Sequence, residues 1–363
     1  MGERQNRGKL ASVQLLRALA AGYVALAHLA LGFADHIGSG LGWRPDSTRA
    51  GQIAVALFFV VSGYIMVISS RHLFGRRDAR RIFWTRRAVR ILPPYWLATA
   101  LLVLVLIALP RQSVDWAVVA RSLVFVPFWS ESGSLRYSPL LWPGWTLLYE
   151  LLFYAVFGLM LGAGRRGAVL LTAGVLAAIA LLGLFVPPEN AAAYMLTRPV
   201  LLVFIAGIAL ALLRERGITL PTWLRLAALA AILPALILVP APADVTALDF
   251  AYVAWSGIPA ILFAIAVLGG DLRVPLAGLV DRLGDMSYAL YLLHIPMGWL
   301  WVLTYRRLFR PEDPWLFLLT LVAATLAISW LFFVHVERPM TRWLNRRLGA
   351  YRHGDQILQE TGV

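Results

Sequence analysis

The segment "RALAAGYVALAH" sets Arg17 and His28 eleven residues apart with no charged side chain between them. On a helix, eleven residues turn through about 1100°, roughly 20° past three full turns, so the two side chains share one face about 16 Å apart. A guanidinium holds anions at any pH, and a neutral imidazole serves as a general base or a nucleophile. Glu150, in "GWTLLYELLFY", is another ionisable group inside an apolar run. So is His294, and Ser287, Tyr291 and His294 follow i, i+4, i+7, which puts them on one helix face. The alternative role for either histidine is a hydrogen bond that ties two helices together.

A second block, "RRDARRIFWTRRAVRILPPYW", carries Arg76, Arg77, Arg80, Arg81, Arg86, Arg87 and Arg90. The first four suit an anchor to lipid phosphates. Arg86, Arg87 and Arg90 stand just before Pro93 and Pro94, where a helix is expected to bend and start afresh. Held there, they form a clamp for a phosphate or pyrophosphate, although every such stretch also serves as a plain cytoplasmic anchor.

The elements that must position these groups follow from composition. The 363 residues are 60% hydrophobic and 14% charged, with mean hydropathy +0.73. That is too apolar for a soluble domain. A net charge of +14 would suit nucleic acid, but the 33 Lys and Arg lie between long apolar runs. Loops anchored on one membrane face explain them, and no nucleic-acid partner is expected. With no cysteine there is neither a thiolate nucleophile nor a thiolate metal site, and no metal is expected.

Apolar runs near 13–34, 51–70, 91–109, 144–162, 167–186, 196–213, 222–241, 250–269, 285–305 and 315–337 give about ten spans, most of a length suited to a core of about 30 Å. Nothing alternates like barrel strands, so the fold class is all-α, a polytopic helical bundle. "WAVVARSLVFVPFW" (116–129) is too short to span and reads as interfacial or re-entrant. No internal repeat is evident. Alternate loops carry 21 basic residues on the N-terminal side against 9 on the other, which places both termini in the cytoplasm. Arg17 interrupts the first run, so that run reads as a retained helix rather than a signal peptide. If the first helix leaves the cytoplasm near Val13, His28 is about 22 Å deep, and Glu150 is about 9 Å below the far surface. In a core of about 30 Å these depths nearly coincide, so the two are expected to meet.

Six segments, "QLLRALAAGYVALAH", "FFVVSGYIM", "RRAVRILPPYW", "GWTLLYELLFY", "SYALYLLHIP" and "VERPMTRWL", occur in this order across nearly the whole chain. They resemble the signature segments of the membrane-bound acyltransferase 3 family, in the flavour of exopolysaccharide O-acetyltransferases. The resemblance implies one membrane domain over 1–363, ending in a short cytoplasmic tail (338–363). It implies a multi-pass enzyme of the cell's inner membrane that moves an acetyl group from cytoplasmic acetyl-CoA to a carbohydrate hydroxyl. Acyl-CoA is then a co-substrate and no cofactor is tightly bound; the other partners are the carbohydrate acceptor, membrane lipid and polysaccharide-assembly proteins. The SGNH hydrolase-like domain of longer members has no counterpart here, so the membrane part or a separate partner is expected to complete transfer.

Arg17 and His28 match the family's pattern of Arg, ten residues, His. Arg17, Arg86, Arg87 and Arg90 would then hold the nucleotide end, while His28 acts at the thioester with Glu150 orienting it. Trp145 and Tyr149 would wall the pocket against water, and Ser62, Tyr291 and His294 would complete its lining. Ser62 and Gly63 also supply a small-residue helix contact. The rival reading is a proton-coupled transporter whose intramembrane His and Glu relay protons.

Overall fold

The computed structural model describes residues 2–33, 47–109, 113–129, 137–187, 189–308 and 313–350, with backbone alone for 2–10, 47, 306 and 308. The regular elements among them are all helical. Seven helical stretches are long and apolar enough to cross a bilayer, from Ala11–Phe33 to Pro314–Arg347. An eighth is the bent pair α13 (Ala277–Asp285) and α14 (Ser287–Leu308), which meet at 58°. The sequence reading gives about ten spans, and two further stretches bear on that count. Trp142–Phe185, 44 residues, is about twice what one crossing needs. A 3-10 turn at Leu161–Ala163 leads into Gly164 at φ 71°, so Trp145–Met160 and Gly164–Leu182 are two helices that pack on each other. Thr222–Leu238, 17 residues, is at the short end of a span. The short helix α4 (Trp116–Leu123), capped by Asp115, occupies the segment read as interfacial or re-entrant.

Three helices frame the interior. α1 (Gly2–Phe33) packs against α13, α14 and α2 (Ser47–Ser69), and α2 makes its broadest contact with α8 (Leu202–Glu215). That crossing is backbone on backbone: a Cβ on Gly63 would stand 2.2 Å from the Phe204 carbonyl oxygen, and one on Gly207 would stand 1.9 Å from that of Val60. The small-residue contact expected around Ser62 and Gly63 is therefore present. Without side chains between them, two helices gain dispersion contacts that lipid tails cannot match.

α3 (Ala79–Ala108) carries straight through Pro93 and Pro94, so the helix does not restart there as expected. A proline leaves a carbonyl one turn back without its usual partner. Here those carbonyls belong to Val89 and Arg90; one residue on, the Tyr288 hydroxyl donates to the Ile91 carbonyl at 2.9 Å and ties α14 to α3. Leucines such as Leu104, Leu170 and Leu319 project from the outside of the bundle, as a lipid-facing surface requires.

Candidate functional site

α1 supplies the first group. Arg17 is 6% exposed and donates from Nη1 to Gln14 Oε1 at 3.1 Å, while Gln14 Nε2 in turn donates to Asp285 on α13. Gly284 allows this approach, because a Cβ there would fall 2.5 Å from Gln14 Oε1. The charged groups whose fields reach Arg17 are Arg90, Asp285, Glu337 and Glu150.

Beside Arg17 lies a cavity of about 90 Å³ bounded by α1, α2, α3, α14 and α5 (Trp145–Met160). Arg17, Ser62, Arg87, Arg90, Glu150 and Tyr291 all line it, which brings six of the predicted site residues around one space. Three guanidiniums against one carboxylate leave the wall two charges positive. In a low-dielectric interior, such a wall holds an anion strongly.

Arg86 is not part of it. Its Nε and Nη2 donate to the Ala350 carbonyl at 3.1 and 2.9 Å, and its Nη1 reaches His72 Nε2 at 3.1 Å, so it fastens the chain beyond α16 (Arg338–Arg347). The rest of the predicted tail, 351–363, lies outside the described residues. Arg87 instead turns inward, bonded to Ser69 Oγ at 3.1 Å, with its guanidinium carbon 5.7 Å from the Tyr154 ring centroid.

α5 presents two stripes. Thr146, Glu150 and Tyr154, spaced four apart, face the basic cavity; Trp145 and Tyr149, about 120° round the helix, face a separate cavity of about 50 Å³. The expectation that Trp145 and Tyr149 wall the same pocket is thus corrected: one helix serves two spaces. Glu150 accepts from Ser62 Oγ at 2.9 Å and from the Tyr154 hydroxyl. It does not pair with His28, contrary to the expectation from depth.

His28 pairs instead with His294, Nδ1 to Nε2 at 2.9 Å, the rings stacked at 5.1 Å between centroids. His294 Nδ1 lies 3.1 Å from the Leu290 carbonyl oxygen, which only accepts, so Nδ1 carries the proton. For two neutral rings the remainder follows: His294 Nε2 accepts, His28 Nδ1 donates, and His28 Nε2 bears the lone pair. Trp142 packs on the other side of His28 at 4.2 Å between ring centroids.

Tyr291 links the histidine pair to the cavity. It lines the cavity, and its ring stands 6.0 Å from that of His294. Its hydroxyl donates to the Pro143 carbonyl at 2.6 Å and accepts from Thr146 Oγ1 at 2.8 Å. That pins the turn Trp142–Gly144, and with it the Trp142 ring against His28. Neither His28 nor His294 lines the cavity itself; Tyr291 stands between them and it.

Four polar residues of this region escaped the sequence reading: Gln14, Asp285, Tyr154 and Glu337. Glu337 is 6% exposed, in a π-helical turn (Phe333–Glu337) between α15 (Pro314–Phe332) and α16. The signal was weaker than for Glu150, because Glu337 closes the last apolar run beside Arg338 instead of standing inside it.

A basic cavity inside a helical bundle with apolar spans, with Tyr291 between it and a hydrogen-bonded pair of imidazoles, marks a polytopic membrane protein that gathers ionisable groups in its interior. Residues 10–334 match the family described as the acyltransferase domain, and the chain belongs to that family, the membrane-bound acyltransferase 3 family. It is similar to the exopolysaccharide production protein ExoZ of Rhizobium meliloti (strain 1021), 35% identical over 249 residues, which cover 67% of this chain and 75% of that protein. It is also similar to the acyltransferase MdmB of Streptomyces mycarofaciens, 29% identical over 339 residues and 83% of each chain. No solved structure matches it.

Proposed function

We propose that this chain is an O-acyltransferase of the cell's inner membrane, moving an acetyl or other short acyl group from cytoplasmic acyl-CoA to a hydroxyl of a cell-surface carbohydrate or its lipid-linked precursor. The observation that carries this reading is the basic cavity lined by Arg17, Arg87, Arg90 and Tyr291, with the Tyr291 ring 6.0 Å from that of His294 in the histidine pair. Three guanidiniums suit the phosphates of coenzyme A. The helical distance of about 16 Å from Arg17 to His28 suits an extended pantetheine arm. The name of the Rhizobium relative supports a polysaccharide acceptor. The excess of basic residues on one set of loops supports the orientation with the Arg17 end toward the cytoplasm. The whole of 1–363 is read as one membrane domain. Solute transport, the rival reading, has family membership against it.

In this reading the acceptor hydroxyl gives its proton to His28 Nε2 as its oxygen attacks the thioester carbonyl. The tetrahedral intermediate then collapses, the C–S bond breaks, and the leaving sulfur takes the proton from His28, giving an ester and free coenzyme A. A covalent acetyl-imidazole on the same nitrogen needs the same tautomer, so His294 serves either route. Glu150, bonded to Ser62 and Tyr154, is placed to neutralise part of the arginine charge along the path of the arm.

The test uses purified protein in nanodiscs with [14C]acetyl-CoA and alkali-deacetylated surface polysaccharide of the producing cell. Alkali-labile label in the polysaccharide, with matching release of coenzyme A, is expected. No incorporation and no release would overturn the reading.

A further inference from the structure

The second cavity lies one aromatic layer from the first. Phe59 lines the basic cavity and packs edge-on against Trp145 and Tyr149, with centroids at 6.5 and 6.3 Å. The two spaces also share α2: Ser62 lines the first, while Gln52, ten residues and about 15 Å back along the helix, lines the second. On the orientation proposed above, the second cavity is the one nearer the outer surface.

Its lining has a distinct chemistry. Tyr137, Trp145, Tyr149 and Tyr194 provide four aromatic walls, and Gln52, Thr246 and Arg198 provide polar edges. No carboxylate lines it. Arg198 is fixed rather than mobile, donating from Nε to the Tyr194 carbonyl at 2.6 Å and from Nη2 to that of Gly183 at 2.9 Å. Gln52 Oε1 accepts from the Tyr252 hydroxyl at 2.7 Å, which keeps its NH₂ end as a donor.

The Tyr137 hydroxyl is the informative group. The residue is 4% exposed, and its buried hydroxyl has no hydrogen-bond partner among the described residues. Burial pushes its pKa up, so the hydroxyl keeps its proton. A buried donor left unpaired costs about 1 to 3 kcal/mol, and few native hydroxyls are left so.

We propose that this cavity is the subsite for a sugar ring of the acceptor, with the aromatic rings against the C–H faces of the pyranose and Tyr137, Gln52 and Thr246 bonded to its hydroxyls. The inference rests on the carbohydrate O-acyltransferase reading above. Aromatic side chains combine an apolar face with a polar tip, which matches the two-faced character of a sugar. A lipid acyl chain would leave the Tyr137 hydroxyl unpaired, and the coenzyme's phosphates have the three arginines of the other cavity. Arg198 and the lack of carboxylates favour a neutral or anionic sugar over a cationic one.

The experiment measures [14C]acetyl transfer to alkali-deacetylated polysaccharide of the producing cell, with both substrates varied, for wild type, Tyr137→Phe, Trp145→Ala and Tyr194→Ala. Tyr137→Phe is expected to raise the acceptor KM about three- to tenfold, the loss of one hydrogen bond, with the acetyl-CoA KM unchanged. The two alanine variants should raise the acceptor KM further. An unchanged acetyl-CoA KM certifies that each variant is folded. Wild type that transfers acetyl groups, with an acceptor KM unmoved by Tyr137→Phe and by both alanine variants, overturns the subsite. So does a photoreactive lipid that labels this cavity and is not displaced by the polysaccharide. Wild type that transfers nothing to the polysaccharide overturns the parent reading instead.

Discussion

Replacing His294 with phenylalanine removes both ring nitrogens while keeping a flat ring of similar size against Tyr291. The structure gives His294 one polar task toward the site: its Nε2 receives the His28 Nδ1 proton at 2.9 Å and so leaves the lone pair on His28 Nε2. Without that acceptor, α14 no longer sets which His28 nitrogen carries the proton, while the Trp142 packing stays. A neutral hydrogen bond contributes about 0.5 to 1.5 kcal/mol, so loss of tautomer control alone lowers kcat about two- to twelvefold. A ring that also turns away loses up to the whole general-base contribution, about 100- to 10,000-fold. The acetyl-CoA KM should hold, because the phosphate site proposed at the arginines is about 16 Å away. His294→Gln restores an acceptor oxygen near the same place, so it should recover part of kcat where phenylalanine does not. The assay is label transfer by purified protein at saturating and limiting acetyl-CoA. Unchanged kcat in His294→Phe refutes the tautomer argument; an equal fall in both variants, with a raised acetyl-CoA KM, makes His294 a helix tie and nothing more.

Arg17→Ala and Arg87→Ala should each raise the acetyl-CoA KM about 10- to 100-fold, the loss of a charge-assisted contact of about 1.5 to 3 kcal/mol, and added salt should weaken binding in the wild type. Arg86→Ala should leave that KM unchanged while loosening the chain end at Ala350, seen as faster proteolysis beyond α16. Glu150→Gln keeps the Oε1 that accepts from both Ser62 and Tyr154 and removes the charge, so kcat should fall at least tenfold with detergent stability unchanged; full activity would make the carboxylate dispensable. Gly207→Val drives a side chain into the Val60 carbonyl and should abolish accumulation of folded protein, measured by monodisperse yield in detergent, whereas Gly174→Ala, where a Cβ meets nothing within 4 Å, should not.

Much of the bundle was legible because a long apolar run in lipid has no alternative to a helix. Membership of the basic cavity was legible too, since polar groups inside such runs turn toward protein, as Arg17, Ser62, Glu150 and Tyr291 do, and Arg87 and Arg90 join them from the basic block just before the run at 91–109. Arg86 was not, and helical geometry shows why. Arg90 stands about 40° from Arg86 and about 60° from Arg87 round the axis of α3. A cavity centred between Arg87 and Arg90 therefore leaves Arg86 on its far side, and spacing alone does not say which flank of Arg90 faces inward. The aromatic cavity was equally hidden, because Tyr137, Tyr194 and Arg198 come from segments distant in sequence that only the packing of α5 and α2 brings together.

The partner of His28 failed for a different reason. Counting from an assumed point where each helix enters the membrane gave His28 and Glu150 nearly equal depth, and the pairing followed. In the structure the ring beside His28 is Trp142, eight residues and about 12 Å before Glu150 along the chain. An error of two to four residues at the start of each span shifts depth by about 3 to 6 Å, and tilt adds to it, so two such errors cover the whole offset. The spacing from Arg17 to His28 needs no such origin, since both lie on one helix. The separation of Arg17 and His28 along α1 is therefore secure from sequence, while the identity of what meets His28 depends on how α14 turns at its 58° bend with α13. That bend carries Tyr291 and His294 to α1 and to the Trp142–Gly144 turn together. Tyr291→Phe tests this: losing the bond to the Pro143 carbonyl should free the turn, shift Trp142 from His28, and lower kcat with the acetyl-CoA KM little changed. The same substitution should blue- or red-shift tryptophan emission in a protein whose other tryptophans are replaced by phenylalanine, because the Trp142 ring would leave its contact with His28. Lowered kcat with unmoved Trp142 emission would show that Tyr291 acts on the reacting groups directly and that the turn is no part of the site's geometry.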